Sequence, residues 1–171
     1  EVGSKNNIIV IPSIEVETAE EVHVLCMFKE IPLLEEFYEN IRKYMVNIKN
    51  KPSVFGQQLI FDSNDNITSQ NHKLLRNAIN ITIDKIYKIE HDLKGIVIPA
   101  HIDRPSYSII SNLGMIPTNI EFKVLEISRF ADEKKYANMY KKYKIIQSSD
   151  AHEVGYIGIC DKYLNVKYKT I

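Results

Sequence analysis

Two short stretches hold most of the chemistry in this chain. Ser148-Ser149-Asp150-Ala151-His152 follows the apolar run 144–147, and Ala100-His101-Ile102-Asp103-Arg104-Pro105 follows the apolar run 95–99. A strand that delivers polar residues at its C-terminal end is how α/β barrels build an active site on one rim. Asp150 and His152 lie two apart, so in extended backbone both side chains leave on the same side. A carboxylate and an imidazole aimed together suit Zn²⁺, Mn²⁺ or Fe better than a hydrophobic core.

The chain has five histidines. His72 stands in a polar stretch and reads as a surface residue. His91 falls near a helix C-terminus, where an imidazole is favourable against the dipole. His101 and His152 stand beside Asp103 and Asp150 and are the leading ligand candidates. His23 sits inside an apolar run, where a satisfied core histidine competes with a ligand. Glu15 and Glu17 follow the apolar run 8–11 and share a side if the backbone stays extended. Either one of them faces a site at the strand ends, or both belong to an acidic surface loop with Glu20 and Glu21. Arg104 offers a planar fork that matches phosphate or carboxylate; an ion pair with Asp103 or Glu126 accounts for it equally. Gly155 and Gly158 fit no phosphate-loop or dinucleotide pattern, and no nucleophile elbow is present.

The elements that must position these groups follow from periodicity. Strands are expected at 8–11, 22–28, 96–100, 123–127 and 144–148, with a last one in the tail at 164–169. Leu33, Leu34, Phe37, Ile41, Met45 and Ile48 recur at helical spacing, which predicts a helix over 32–47 with Pro32 in its first turn. Further helices are expected at 82–94, 107–113 and 132–142. Residues 49–70 read as an irregular, hairpin-like insertion, because turn residues flank the short run 58–61. Helix-then-strand alternation predicts a mainly parallel sheet with flanking helices.

At 171 residues, with 44% hydrophobic and 26% charged, the chain reads as a single globular domain over 1–171. Lysine plus arginine number 22, as do aspartate plus glutamate, so no bulk charge draws it to nucleic acid or an anionic membrane. Lys141, Lys142 and Lys144 form the nearest thing to a basic patch and read as a solvated helix end. Cys26 and Cys160 lie in apolar contexts, which implies buried thiols in a reducing, cytoplasmic setting. No apolar run approaches the ~20 residues that cross a bilayer.

These residues resemble a known family. Ser13-Ile14-Glu15, then 20–28 with His23, then 98–105, then 148–152 are similar in order to the later part of the PHP (polymerase and histidinol phosphatase) domain. Serine stands at 13 and at 148 where glycine is usual. The resemblance implies a distorted (β/α)₇ barrel, incomplete here because the His-x-His and Asp-His motifs of its first two β/α units have no counterpart. It implies Glu15 as a bridging carboxylate and His23, His101, Asp150 and His152 as ligands of divalent metal ions (Zn, Mn or Fe). Asp103 and Arg104 match only a subgroup pattern and stand as candidate catalytic residues. The implied activity is metal-dependent phosphoester hydrolysis of a small phosphorylated substrate, weak or absent in a chain lacking part of the site. A non-catalytic regulatory or interaction module derived from the same fold is the alternative. Nucleic acid is expected to be an unlikely partner. An exposed sheet edge makes a homodimer an expectation.

Overall fold

The computed structural model describes residues 2–160, so the strand expected at 164–169 lies outside the described residues. A short N-terminal helix, α1 (Val2–Lys5), precedes residues 8–11, which form no strand and are exposed. Their β-favouring side chains meet no partner strand, and without pairing that preference has nothing to act on. The first strand is instead β1 (Ser13–Glu17), so Glu15 and Glu17 lie within a strand and not in a loop after one.

A five-residue turn, held by Thr18 Oγ1 accepting from Glu20 N and Val22 N, leads into β2 (His23–Met27). Strands joined by so short a turn must pair antiparallel, and they do, with Val16 opposite Val24 and Glu17 opposite His23. Helix α2 (Ile31–Ile41) starts at proline and buries Phe37 and Ile41. It stops six residues short of the expected end. A 3₁₀ turn at Arg42–Tyr44 then brings the Tyr44 carbonyl to Asn80 N at 2.9 Å. After α3 (Pro52–Phe55), β3 (Leu59–Phe61) and β4 (Ile67–Gln70) form a separate hairpin around an Asp62-centred turn.

Helix α4 (Ile83–Asp92) begins after Thr82, but that side chain makes no cap; Glu20 accepts from Ile83 N instead. Gly95 ends the connection. A Cβ there would run into the Glu90 carboxyl and the Met27 carbonyl, so the glycine is required by close approach. Strand β5 (Ile96–Pro99) pairs antiparallel with β2, giving a three-stranded sheet in the order β1-β2-β5. Helix α5 (Ile109–Leu113) is fixed by a reciprocal Ser108–Ser111 capping box and closed by Gly114 at φ 75°.

Only the last unit has the expected topology. Strands β6 (Val124–Ser128) and β7 (Lys144–Ser148) are parallel, joined through α6 (Glu133–Met139). Ile102 N donates to the Glu126 carbonyl at 2.9 Å and ties this pair to the first sheet.

The expected incomplete (β/α)₇ barrel with a mainly parallel sheet is therefore corrected. Among the described residues there are two antiparallel sheets and one parallel pair, and no closed barrel. The physical reason is that β2 pairs antiparallel with both its neighbours: a short turn reverses the chain between β1 and β2, and β5 returns against β2 where a parallel strand was expected. The core lies beneath the three-stranded sheet. Val16, Val24, Cys26 and Val97 pack there with Phe28, Phe37 and Ile86, and the Phe28 and Phe37 rings are 5.1 Å apart. No helix among the described residues is long and apolar enough to cross a membrane.

Candidate metal centre

Alternation in β1 and β2 sends Val16 and Val24 into the core and leaves Glu15, Glu17 and His23 on the opposite face. Strand β5 reaches the same place from the other side of β2. Ala100 N donates to the His23 carbonyl, and regular strand geometry breaks at the next residue. His101 has a φ of 31°, in the left-handed region that non-glycine residues enter at a cost of order 1–3 kcal/mol. Such strain persists where the surroundings fix it. Here the Glu126 carboxylate accepts from His101 N at 3.2 Å, and the imidazole is only 2% exposed.

Three ligand atoms meet. Glu15 Oε1 lies 3.4 Å from His23 Nδ1 and 3.6 Å from His101 Nε2, and the two imidazole nitrogens are 3.3 Å apart. Donors bound at the usual ~2.0–2.1 Å to one tetrahedral zinc lie ~3.3–3.4 Å from each other, so the triangle has the size of one face of such a site. Glu17 Oε2 sits 3.8 Å from His23 Nε2, where it can orient the ring from behind. The Tyr107 ring stacks on His23 with centroids 4.9 Å apart, and the Tyr107 carbonyl accepts from His23 N.

The electrostatics agree with a cation site. Burial by itself would raise the Glu15 pKa, but hydrogen bonds and charge from His101 and His23 outweigh it and hold the carboxyl well below the usual range. The Glu15 carboxylate in turn raises His23, against a smaller opposing effect of burial. Burial also raises Glu17 and Glu126; Ser148, hydrogen-bonded to Glu126, offsets part of the second shift. His101 Nδ1 is buried without a hydrogen-bond partner. One ionised carboxylate and two imidazoles around a common point fit a divalent ion, leaving a fourth position open.

Asp150, also at positive φ (45°), faces this trio closely enough that its charge contributes to raising His23. It does not join the triangle. Its Oδ2 is paired with Arg104 Nη2 at 2.7 Å and its Oδ1 lies 3.2 Å from His152 Nε2. The His152 side chain is 78% exposed. Asp103 turns the other way and spends both oxygens on Ser128, accepting from its N and its Oγ at 2.6 Å each. Glu15, His23 and His101 thus come together, Asp150, Arg104 and His152 form an adjoining group, and Asp103 clamps β6. A cavity of about 160 Å³ adjoins the second group, lined by Arg104, Arg129, Phe130, Ser149 and Asp150 among others.

Two residues are placed at the site by the structure alone: Glu126, read in sequence only as a candidate ion-pair partner of Arg104, and Tyr107. Glu126 carries a signal, an ionisable residue enclosed by Val124, Leu125 and Ile127 in a strand. Tyr107 carries none, because its place over His23 depends on a turn at φ 57°.

No family model and no curated protein matches the chain. Two solved structures are similar in fold. One is the lesion-specific endonuclease PfuEndoQ from Pyrococcus furiosus, with a TM-score of 0.61 and 21% identity, covering 82% of this chain and 30% of that one. The other is endonuclease Q in complex with a 27-mer duplex substrate bearing an abasic lesion at the active site, with a TM-score of 0.60, 21% identity and coverage of 82% and 31%. The chain therefore spans less than a third of the length of either structure, and at this identity the likeness is one of fold. The second neighbour holds a duplex, which goes against the expectation that nucleic acid is an unlikely partner. A zero net charge does not make the surface uniform. Arg104 and Arg129 line one cavity whatever the total.

Proposed function

We propose that this chain is part of a metal-dependent phosphoester hydrolase of the PHP type that acts on nucleic acid. The observation that carries the reading is the convergence of Glu15 and His23, from two strands, and His101, just past a third, on one point. A divalent ion bound there, Zn²⁺ or Mn²⁺, supplies a water of lowered pKa and a Lewis acid for a phosphoryl oxygen. Glu15, His23 and His101 hold it, and Glu17 orients His23. Arg104, drawn from Asp150, grips a phosphate oxygen through its fork. His152 stands exposed beside Asp150. The fold likeness to endonuclease Q supports nucleic acid as the substrate class.

The test is hydrolysis of bis(p-nitrophenyl) phosphate and of an end-labelled duplex with an abasic site, with Mn²⁺ or Zn²⁺ and with chelator. Cleavage that needs metal and is lost in Glu15→Gln and His101→Ala supports the reading. Tight metal binding without cleavage of either substrate would overturn it in favour of a metal-held, non-catalytic module.

A further inference from the structure

Beside the candidate metal centre lies a group of side chains that no ligand chemistry requires. The Arg129 guanidinium carbon lies 4.7 Å from the Phe130 ring centroid and 4.5 Å from that of Tyr156. Phe130 is 81% exposed and Tyr156 41% exposed. A phenyl ring so open to water has no folding role to justify it; single exposed aromatics are ordinary, but one stacked on a cation and lining a cavity is placed. The same cavity is lined by Arg104, Ser149 and Asp150. It therefore runs from the aromatic pair to the group whose charge reaches His23.

We propose that Arg129, Phe130 and Tyr156 form a stacking platform for one unpaired nucleobase of a DNA substrate, next to the phosphate that Arg104 grips. The proposal rests on the hydrolase reading above and adds how the strand is held. A base has a π-face whatever its identity, so an exposed phenyl ring backed by a guanidinium binds it without reading sequence. The guanidinium also supplies positive charge for the adjoining backbone. The spacing along the chain is 26 residues between Phe130 and Tyr156, which is why no aromatic-basic stripe is visible in the sequence.

The probe is a duplex with an abasic site and 2-aminopurine opposite it, whose fluorescence falls when the base stacks on an aromatic ring. Wild-type chain is expected to quench it on binding. Phe130→Ala is expected to lose the quench and to weaken binding roughly five- to one-hundredfold, while Phe130→Trp restores both. Metal-dependent hydrolysis of bis(p-nitrophenyl) phosphate stays unchanged in Phe130→Ala, since that ester needs no platform. Equal quenching and affinity in wild type and Phe130→Ala would overturn the platform and leave the hydrolase reading intact. A wild type that cleaves the small diester but does not bind the duplex would overturn the platform together with nucleic acid as the substrate class, leaving only the metal-dependent hydrolysis. Loss of diester hydrolysis in the wild type itself would instead sink the hydrolase reading, with the quench alone then deciding the platform.

Discussion

His101 Nε2 stands 3.3 Å from His23 Nδ1, although 78 residues separate them in sequence. Two imidazole rings by themselves gain little from such an approach. The contact is held by what lies around it: Glu15 facing both rings, Tyr107 stacked on one, and Glu126 gripping the backbone of the other.

Glu126 is a positioning residue. Its carboxylate holds His101 N and is hydrogen-bonded to Ser148, so it links β5, β6 and β7 behind the site. Glu126→Gln is expected to lower Zn²⁺ affinity by about 10- to 100-fold, the usual cost of a lost supporting partner. Competition with a chromophoric chelator measures it. An unchanged affinity would remove Glu126 from the site.

On the proposed reading Arg104 acts on substrate and not on metal. Arg104→Ala is expected to raise KM for the duplex at least tenfold, with Zn²⁺ affinity unchanged. Arg104→Lys should recover only part of the loss, because a point charge cannot reproduce the fork. Steady-state kinetics and the same chelator competition separate the two effects.

Asp103 contributes to stability. Both its oxygens accept from Ser128, which is 4% exposed. Asp103→Ala leaves those donors without partners, which costs about 1–3 kcal/mol. Urea unfolding followed by circular dichroism is the measurement, and Asp103→Asn, which keeps one acceptor, is expected to lose less.

Glu90 sets a pH dependence. It is 1% exposed, and burial pushes its pKa from 4.5 up to about 8. Its Oε1 has no hydrogen-bond partner. The folded chain thus keeps a proton that the unfolded chain releases. This group's contribution to stability is complete below pH 4.5 and is lost as pH rises toward 8. The loss amounts to about 3 kcal/mol by pH 7. Glu90→Gln removes the titration. It is expected to gain on wild type steadily from pH 5 to pH 8 in thermal melts; a constant difference across that range would refute the assignment.

Much of this was legible before the fold was known, and the failures have physical causes. The strands around residues 22–28, 96–100 and 144–148 announce themselves as apolar runs, and β2, β5 and β7 occupy them. His101 was legible as the polar end of such a run. The Ile8–Ile11 segment shows that a run with strand composition stays unpaired when no neighbour is offered. The direction of β1 was not legible, because the apolar run 8–11 draws the strand away from Ser13–Glu17 and so hides the short turn that forces antiparallel pairing. The grouping of His23 with Glu17 follows from the hairpin register alone. Arg129, Phe130 and Tyr156 were invisible as a set, since only tertiary folding makes them neighbours.

On the proposed reading Glu15, His23 and His101 together bind one divalent ion. The most direct test is equilibrium dialysis of the chain against Zn²⁺ with elemental analysis, run on wild type and on Glu15→Gln, His23→Ala and His101→Ala. One bound ion per wild-type chain is expected, with loss of that ion in each variant and folding retained by circular dichroism. Zinc uptake equal in wild type and all three variants, or none in a folded wild type, would contradict it.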